Sequence, residues 1–489
     1  MTAQVAIENL LLDRASGEAL SRQLYQQLRG LVDTRVLLSG QALPSTRALA
    51  SDLGLGRNTV ISAYEQLALE GYVNLRRGAA PVVSDLPHRP AIAPKRAKGG
   101  DSDVSARGRV MIAQPYHHGS PGMVSFHPGL PDPGNFPFNT WSKLLTRRAK
   151  QAKRDLFGTY HVTGYPDLRE AIARYLGASR GVTCTAEQIV VTNGAQSAFD
   201  VLARLLLDPG DALWMEEPGY YGACAAFLSA GAKLLPLHVD ETGWRIEPPP
   251  ERPRAIFVTP SCHHPLGVTM PMEQRLNLLR LAGEWNAWII EDDYDSEYRF
   301  HGQPIPALQS ISTGGHVVCV GTFAKMLFPA MRLGFMVVPD SLRDGIAAAL
   351  STTGQFAPLL TQAALADFIT EGYLSRHLRR MRRLYTARRS LFMALCEEHL
   401  SPWLSLRPTG SGIQLVGHFH DDLDDRAIAA AAKAKGVNVS PLSIQYRHAG
   451  GHRGLLMGFA ASDERMMVQA MIKLQQVLKD VAGRQPALT

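Results

Sequence analysis

The chain has 489 residues, of which 45% are hydrophobic and 19% are charged, a composition that supports large buried cores and excludes wholesale disorder. Because a single core stops growing near ~250–300 residues, we expect at least two domains. The formal net charge is +7, but residues 1–85 carry eight arginines and no lysine against eight acidic residues. The position of the charge, rather than its total, must therefore identify any nucleic-acid site.

The N-terminus and the cysteines indicate the compartment. No run of about 18 apolar residues occurs, and the first twenty residues lack the basic start and the cleavage site of a signal peptide. The five cysteines are odd in number, widely spaced and form no CxxC motif, which argues against disulfides and against zinc. We expect a cytoplasmic chain without a metal site and without membrane contact.

The first part of the chain has a helix-turn-helix pattern. Leucines recur on one stripe of residues 19–34, which predicts a helix. The segment LPSTRALASDLGLGRNTVISAYEQLALEGYV then predicts a helix, a tight turn and a further helix, with Ser45 as the N-cap of the first of these two. The inner face of the last helix would be formed by Val60, Ala63, Tyr64 and Leu67.

The outer start of that last helix offers Arg57, Asn58 and Thr59. In a helix-turn-helix, such polar side chains at the start of the recognition helix contact base edges in the major groove. The next segment, NLRRGAAPVV, can form a two-stranded wing that brings Arg76 and Arg77 to phosphate or to the minor groove. The alternative is a helical protein-interaction module.

This segment, together with the glycine that follows the two wing arginines, resembles the winged helix-turn-helix of the GntR family. The resemblance implies binding to double-stranded promoter DNA by residues 1–85. The residues that it brings to DNA are Ser45, Arg47, Arg57, Asn58, Thr59 and Gly78, and the wing adds Arg77.

Residues 86–121 are rich in Pro, Gly, Ser and charge, which predicts a flexible basic linker. Beyond it, in residues 122–489, apolar strands alternate with amphipathic helices, which predicts an α/β fold with a mostly parallel sheet. A ligand would then bind at the carboxyl ends of the strands. The predicted strands are Ile189–Thr192, Ala212–Met215, Ala255–Thr259, Ala287–Ile290, Val317–Gly321 and Gly334–Val338.

Polar groups follow several of these strands. VVTNGAQSAFD passes from strand to helix at Gly194, Ala195 and Gln196, where unpaired backbone N–H groups can hold a phosphate. Tyr220 follows a strand and a Pro-Gly turn, so its ring can stack on a ligand. Asp292 ends another apolar strand, where a charge needs a partner because burial of an unpaired carboxylate is costly.

Lys325 is the last of these polar groups that follow a predicted strand. Lys325 lies four residues past an apolar strand, flanked by Thr322 and Arg332, and a partly desolvated lysine beside cationic groups has a lowered pKa and becomes an amine nucleophile. Tyr294, two residues after Asp292, can donate to a phenolate oxygen. A phosphorylated pyridine aldehyde needs an amine, an anion site, a carboxylate and an aromatic ring. The sequence therefore predicts that pyridoxal 5′-phosphate (PLP) forms a Schiff base with Lys325.

Six motifs occur in the order found in fold-type I aminotransferases: GYPDLREAIARYL, VTNGAQSAFD, EEPGYYGA, TPSCHHPLGVTM, EDDYDSEYR and GTFAKMLFPAMRLG. With the GntR-like head, they make the chain resemble the MocR subfamily of bacterial transcriptional regulators. The resemblance implies an α/β aminotransferase-like body with a smaller C-terminal α/β subdomain. It also implies a homodimer, with the head of one chain packed on the body of its partner.

The same resemblance assigns roles around PLP. It gives Lys325 to the aldehyde, Asp292 to the ring nitrogen and Tyr294 to the ring hydroxyl. Tyr220 would lie near the ring face. Around the phosphate it puts Gly194, Ala195, Gln196, Thr322 and Arg332.

The chain departs from the family beside the cofactor. Ala324 stands where the family has Ser, which removes one phosphate-binding hydroxyl. Cys262, His263 and His264 stand where the family has His-Gln-aromatic. Either histidine is a candidate contact for an effector, and an ordinary loop histidine is the alternative.

A further departure concerns the effector. The arginine that binds an amino-acid carboxylate in aminotransferases usually precedes the late strand that we predict at Leu455–Phe459, where this chain has Leu455 and Leu456. Arg447 and Arg453 remain as candidates. The effector therefore need not be an α-amino acid.

The predicted function is a PLP-dependent regulator that binds promoter DNA and senses an amine, an amino acid or PLP. The alternatives are a working aminotransferase with a DNA-binding head, and a binding-only protein that follows PLP supply. The segment Arg376–Arg389 holds seven arginines and no acidic residue. It is either a solvated helix or a surface that extends contact to the DNA backbone.

Overall fold

The computed structural model describes residues 7, 10–76, 79–85, 104–114, 125–151, 156–302, 305–448 and 450–482. The chain divides into two compact units, Met1–Asp101 and Ser102–Thr489. Each unit has a hydrophobic core of its own, as expected of a chain too long for one core.

The first unit is a winged helix-turn-helix. Its helices and strands are α1 (Leu20–Asp33), α2 (Thr46–Asp52), α3 (Arg57–Leu69), β1 (Val73–Asn74) and β2 (Val82–Val83). The two strands pair antiparallel and form the wing.

The predicted inner face of α3 is confirmed, because the four predicted residues are its buried ones. Tyr64 also donates a hydrogen bond from Oη to the Pro44 carbonyl oxygen at 2.9 Å, which ties α3 to the segment before α2. The Ser45 side chain accepts from the Ala48 backbone N–H at 3.2 Å, so Ser45 is the N-cap of α2, as predicted.

The helices of the second unit are α4 (Ala106–Ala113), α5 (Phe138–Gln151), α6 (Pro166–Arg180), α7 (Ala195–Leu206), α8 (Tyr221–Ala230), α9 (Met272–Trp285), α10 (Leu308–Ile311), α11 (Phe323–Met326), α12 (Arg343–Thr353), α13 (Leu359–Thr370), α14 (Tyr373–Leu400), α15 (Asp425–Ala434) and α16 (Glu464–Ala482). None of them is long and apolar enough to cross a membrane, nor is any helix of the described part of the head.

The short helix α4 lies within the predicted linker, 86–121. The sequence analysis missed it because its residues have no hydrophobic period, and none of them is buried. A capping signal was present, since the Ser105 side chain accepts from the Gly108 N–H at 3.0 Å. The rest of the linker lies outside the described residues, and its boundaries stay a prediction.

The strands of the second unit are β3 (Ile189–Thr192), β4 (Ala212–Glu217), β5 (Lys233–Asp240), β6 (Gly243–Trp244), β7 (Ala255–Val258), β8 (Trp288–Asp293), β9 (Val317–Thr322), β10 (Gly334–Val337), β11 (Leu404–Leu406), β12 (Gln414–Phe419), β13 (Ser440–Pro441) and β14 (Gly454–Gly458). The predicted strands match β3, β4, β7, β9 and β10 within two residues at each end, and β8 extends three residues beyond its predicted end.

In the described part of the body, β3 to β10 form one large sheet in the order β3-β10-β9-β8-β7-β4-β5-β6. Its central strands β9, β8, β7, β4 and β5 are parallel, which confirms the mostly parallel sheet. Because β10 is antiparallel to both β3 and β9, these two strands point the same way. The carboxyl ends of β3, β4, β7, β8 and β9 therefore lie along one edge, where ligands of α/β proteins bind.

The C-terminal subdomain contains a smaller antiparallel sheet with the order β11-β12-β14-β13. One face of it packs into the same core as α14 and α16. The smaller α/β subdomain was predicted, whereas β12, whose residues bear on the site, was not.

Helix α14 carries the arginine-rich segment. Two of its arginines are built into the body: Arg388 pairs with Asp132 at 2.7 Å, and Arg389 donates to the Thr409 carbonyl at 2.6 Å. The exposed ones are Arg376, Arg379, Arg380, Arg382 and Arg383. Three of these donate to backbone carbonyls of the body, so the segment is partly structural and its contact with DNA stays a prediction.

A buried ion pair holds the end of β8. Arg180, the last residue of α6, pairs with Asp293 at 2.9 Å, and both side chains are less than one-tenth exposed. Arg180 also donates to the Ile305 carbonyl and to the Ser261 hydroxyl. The pair therefore fixes the strand end that carries the neighbouring Asp292.

We predict that Arg180→Leu lowers the free energy of unfolding of the body by about 3–5 kcal/mol, because it leaves the Asp293 carboxylate buried without a partner. All six tryptophans lie beyond residue 140, so denaturation followed by tryptophan fluorescence reports on the body alone. The matched control is Arg174→Leu on the same helix, whose exposed pair with Glu170 contributes less than ~1 kcal/mol. Equal effects of the two substitutions would contradict the assignment.

Candidate cofactor site and DNA-binding surface

A cavity of about 630 Å³ lies at the carboxyl edge of the large sheet, within the ~300–1,000 Å³ typical of small-molecule sites. The turns after β3, β4, β8 and β9 contribute to it. The structure brings together in this cavity all the residues that the sequence assigned to the cofactor: Gly194, Ala195, Gln196, Tyr220, Asp292, Tyr294, Thr322, Lys325 and Arg332.

Lys325 lies in α11, directly after β9. Its Nζ donates to the Gly129 carbonyl oxygen at 2.6 Å. A Cβ atom on Gly129 would lie 2.3 Å from Nζ, so a side chain at this position would displace the lysine. Burial lowers the pKa of Lys325, while the nearby carboxylates of Asp295 and Asp292 act to raise it. The predicted direction and its assignment to desolvation are right, but the charged neighbours that act on Lys325 are acids rather than cations.

Asp292 is the next feature of the site. Its side chain is 5% exposed, and its Oδ1 atom has no hydrogen-bond partner among the described residues. Burial, reinforced by the neighbouring Asp293, raises the pKa of Asp292 well above its ordinary value. A buried carboxylate of this kind needs a donor, and a pyridinium N–H is one that fits.

The features predicted to bind the phosphate lie at the start of α7 and near it. Gly194 precedes this helix with φ +85°, a conformation that favours glycine, and the first N–H groups of α7 are available to an anion. The Arg332 guanidinium lies beside it and donates to the Asn193 carbonyl at 3.1 Å. Thr322 caps α11 by accepting from the Ala324 N–H at 3.1 Å, which leaves its hydroxyl proton for an anion.

Three of the aromatic rings that line the cavity contact one another. The ring of His264 lies between Tyr220 and Tyr294, with centroids 5.4 and 6.0 Å away and edge-to-face geometry. The Tyr294 hydroxyl donates to the Cys262 sulfur at 3.8 Å. Burial raises the pKa of Tyr294 well above its ordinary value, so the phenol stays protonated and can act as a donor.

On the head, most of the residues predicted to contact DNA face solvent. Ser45, Arg47, Arg57 and Asn58 are exposed, and Thr59 is half-buried at the first turn of α3. Arg76 is exposed at the end of β1, whereas Arg77 and Gly78 lie outside the described residues. This surface has the form of a recognition helix with an adjacent wing.

Family models match both units. Residues 20–83 match bacterial regulatory proteins of the gntR family, and residues 130–469 match aminotransferase class I and II. The chain is 49% identical over 469 residues to a protein of Rhizobium meliloti named probable rhizopine catabolism regulatory protein MocR, with 95% of each chain covered. The chain belongs to the MocR subfamily of GntR-type transcriptional regulators.

Further relatives agree with this family. The pyridoxine biosynthesis regulator PdxR of Corynebacterium glutamicum is 30% identical, with 91% of this chain and 93% of that protein covered. The kynurenine aminotransferase of Pyrococcus horikoshii has 25% identity and a TM-score of 0.68, covering 74% of this chain and 92% of that one. The chain is thus a PLP-binding regulator with a DNA-binding helix-turn-helix and an aminotransferase-like body.

The structure places two candidate effector residues away from Lys325. Arg447 pairs with Glu217 at 2.6 Å, and Arg453 pairs with Asp422 at 3.0 Å. Both arginines line a different cavity, next to the start of α15. Their guanidinium groups are engaged by these partners, and their assignment to an effector carboxylate is not supported by these positions.

Of the two candidate histidines, the structure places His264, not His263, in the Lys325 cavity. His263 is fully buried, 3.7 Å from Glu216 and with its ring against Trp244. Burial lowers the pKa of His263 well below its ordinary value, so this ring is neutral. The sequence alone could not show which histidine faces the cavity, because side chains in an irregular segment do not alternate in a predictable direction.

Other residues of the site were missed. Gln414 and Gln445 both line the cavity, and Asp295 lies buried close to Lys325. Gln414 belongs to the unpredicted strand β12. The only signal for Asp295 was its place three residues after Asp292 in a run of acidic residues.

We predict that Asp292→Asn removes the pH dependence that this carboxyl group gives to the stability of the PLP-free protein. A carboxyl whose pKa is raised by folding removes stability as pH rises from its unfolded pKa through the folded one. The variant should therefore become more stable than wild type as pH increases, in thermal melts of PLP-free protein. PLP binding should weaken at least about 100-fold, because a buried charge pair is lost.

The control for this experiment is Asp344→Asn, at an exposed position of α12, which should change neither property. If wild type gained stability over Asp292→Asn with rising pH in the absence of PLP, the carboxylate would have a protein partner and the assignment would fail.

Proposed function

We propose that this protein binds promoter DNA through residues 1–85 and responds to a small amine or amino acid, or to the supply of PLP, at Lys325. The observation that carries the proposal is the unpartnered Asp292 carboxylate facing the same cavity as Lys325, in a chain that also has an exposed recognition helix. The names of two relatives link them to rhizopine catabolism and to pyridoxine biosynthesis, which supports a small-molecule signal.

When bound, PLP would supply an aldehyde that links reversibly to primary amines. Lys325 would hold it, because desolvation lowers the pKa of the lysine and so favours its nucleophilic amine. Asp292 would keep a proton on the ring nitrogen, and Tyr294 would donate to the ring oxygen. The start of α7, Thr322 and Arg332 would bind the phosphate.

An effector amine that takes the place of Nζ would release the lysine side chain. The released amine would still have the Gly129 carbonyl and the Asp295 carboxylate beside it. Replacement of the lysine by an effector amine would therefore change which groups of the body Lys325 contacts. Such a difference in contacts between two states is what a ligand needs to shift a conformational equilibrium.

We also propose that the regulator acts as a homodimer in the cytoplasm, with the head of each chain packed on the body of its partner. A two-fold symmetric dimer would present two recognition helices to a promoter with two half-sites. The likeness to the P. horikoshii aminotransferase favours one alternative, a working aminotransferase. Sustained turnover of an amino donor and a keto acid would support that alternative.

The first test concerns the lysine. PLP-loaded wild type should absorb near ~420 nm, the band of the cofactor linked to a lysine, and Lys325→Ala should abolish it. The matched control is Lys433→Ala, since Lys433 lines the same cavity and should leave the band intact. A band that survives in Lys325→Ala, or is lost in both variants, would refute the attachment.

The second test concerns the recognition helix. Arg57→Ala should weaken binding to the specific promoter by about 10- to 100-fold, the effect of losing one base contact, while the ~420 nm band stays. Arg22→Ala is the control, because Arg22 is an exposed arginine of α1 paired with Glu18. Unchanged promoter affinity in Arg57→Ala, measured at fixed salt, would overturn the recognition-helix assignment.

A further inference from the structure

A short segment of the C-terminal subdomain holds the end of β4. Glu217 is the last residue of this strand and is 3% exposed. Its Oε1 accepts from the backbone N–H groups of Arg447 and His448 at 2.6 and 3.1 Å, and its Oε2 lies 2.6 Å from the Arg447 guanidinium. A buried carboxylate needs such partners, and one short segment supplies these three. We call Glu217, Arg447 and His448 the clamp.

The Arg447 side chain extends further across the end of β4. Nη1 donates to the Glu216 carbonyl oxygen at 3.1 Å and to the Cys224 sulfur at 3.2 Å, and Nη2 donates to the Met215 carbonyl oxygen at 3.3 Å. Cys224 belongs to α8. One guanidinium therefore joins a strand and a helix of the large-sheet layer to the C-terminal subdomain. The planar fork of donors is particular to arginine, and lysine does not reproduce it.

Hydrogen bonds lead from the clamp to the Lys325 cavity. The Gly219 N–H, in the turn after β4, donates to the Gln445 carbonyl oxygen at 3.1 Å. The Gln445 side chain is 2% exposed, and its Oε1 lies 3.3 Å from His264 Nε2. The His264 ring in turn contacts Tyr220 edge to face. Gln445, His264 and Tyr220 all line the cavity, so the clamp acts next to its wall.

Other contacts of the same segment stay within its own subdomain. The Ser443 N–H and hydroxyl donate to the Asp425 carboxylate at 2.8 and 2.7 Å, at the start of α15. Leu442 packs with Val416 and Leu456 of the small sheet. These contacts hold the segment to the C-terminal subdomain, whereas the clamp and the Gly219 hydrogen bond tie it to the large sheet.

The packing around the clamp leaves space. Two further cavities, of about 440 and 240 Å³, adjoin it, and Tyr446 and His448 line both of them. Close packing would otherwise resist a shift of the segment. A segment released from Glu217 therefore has room to move.

We propose that Glu217 and Arg447 are positioning residues for the Lys325 site, which hold the C-terminal subdomain closed against the turn that carries Tyr220. In the closed arrangement they keep His264 against Tyr220 and restrict the access of small molecules to Lys325. Removal of the guanidinium leaves the Glu217 carboxylate buried without a cation, so the segment separates from β4 and the cavity opens. The inference rests on the proposed function, because the site whose access it describes is the one at Lys325.

The first test uses the full chain without PLP. Glu217→Gln and Arg447→Gln should each raise the amide hydrogen exchange of residues 442–448 at least about tenfold, because the segment opens locally. Exchange in α16 of the same subdomain, followed by mass spectrometry, should stay as in wild type. Arg447→Lys keeps the charge but loses the fork of donors. It should give a smaller rise and serves if the stronger variants do not fold. No rise in residues 442–448, or an equal rise in α16, would overturn the inference.

The second test measures access to the cofactor in the PLP-loaded chain. Hydroxylamine is a small nucleophile whose nitrogen replaces that of Lys325 on the aldehyde carbon of PLP, which removes the ~420 nm band. At a temperature where each variant is folded, the rate of this loss should rise at least about tenfold in Glu217→Gln and in Arg447→Gln. The double variant should react no faster than the faster single variant, because the two residues act as one pair. Wild-type rates in the single variants, or additive effects in the double variant, would contradict the proposal.

The matched controls are Arg453→Gln and Asp422→Asn. These two residues form an exposed ion pair at 3.0 Å within the C-terminal subdomain, on segments next to the clamp. Neither variant should change the exchange of residues 442–448 or the rate with hydroxylamine. Effects as large as those of the clamp variants would show that the clamp has no specific role.

The outcomes separate the two proposals. If wild type forms no ~420 nm band with PLP, the proposed function fails, and the exchange test still decides whether the clamp holds the segment. If the band forms but the clamp variants change neither exchange nor the rate with hydroxylamine, only the clamp is wrong.

Discussion

The site depends on one electrostatic constraint, which is the desolvation of an amine and a carboxyl group at the edge of a parallel sheet. Lys325 and Asp292 come from the ends of neighbouring strands, β9 and β8. Asp292 is buried and Lys325 is half-buried. Burial makes the lysine a better nucleophile and leaves the carboxylate in need of a proton donor. PLP has an aldehyde that could link to the Lys325 amine and a ring nitrogen whose proton could be donated to Asp292.

The surroundings of this pair keep it in place. The ion pair of Arg180 with Asp293 anchors the end of β8, and the absence of a side chain on Gly129 leaves room for the lysine. Asp295 adds a second carboxylate beside Lys325, and burial raises the pKa of Asp295 to about 8. A buried amine between two acids is a group whose charge and contacts change when a ligand replaces it. This is a physical basis for sensing in a body with an enzyme's fold.

Both sheets of the body contribute to the Lys325 cavity. The large sheet carries the residues predicted to bind the cofactor, and the small C-terminal sheet adds Gln414 and Leu456. Arg447 pairs with the buried Glu217.

The sequence by itself determined the two-domain plan, the inner face of α3, the central strands and nine residues that share one cavity. These features are local: each rests on a hydrophobic period, a cap or the position of a polar residue just after a strand. Only the tertiary structure decided what depends on distant segments, since Gln414 meets His264 across 150 residues. It also decided which of two adjacent histidines faces the cavity, and that the charged groups near Lys325 are acids rather than cations. The direction and the burial of a side chain depend on how distant segments pack together. A local sequence pattern does not contain that information.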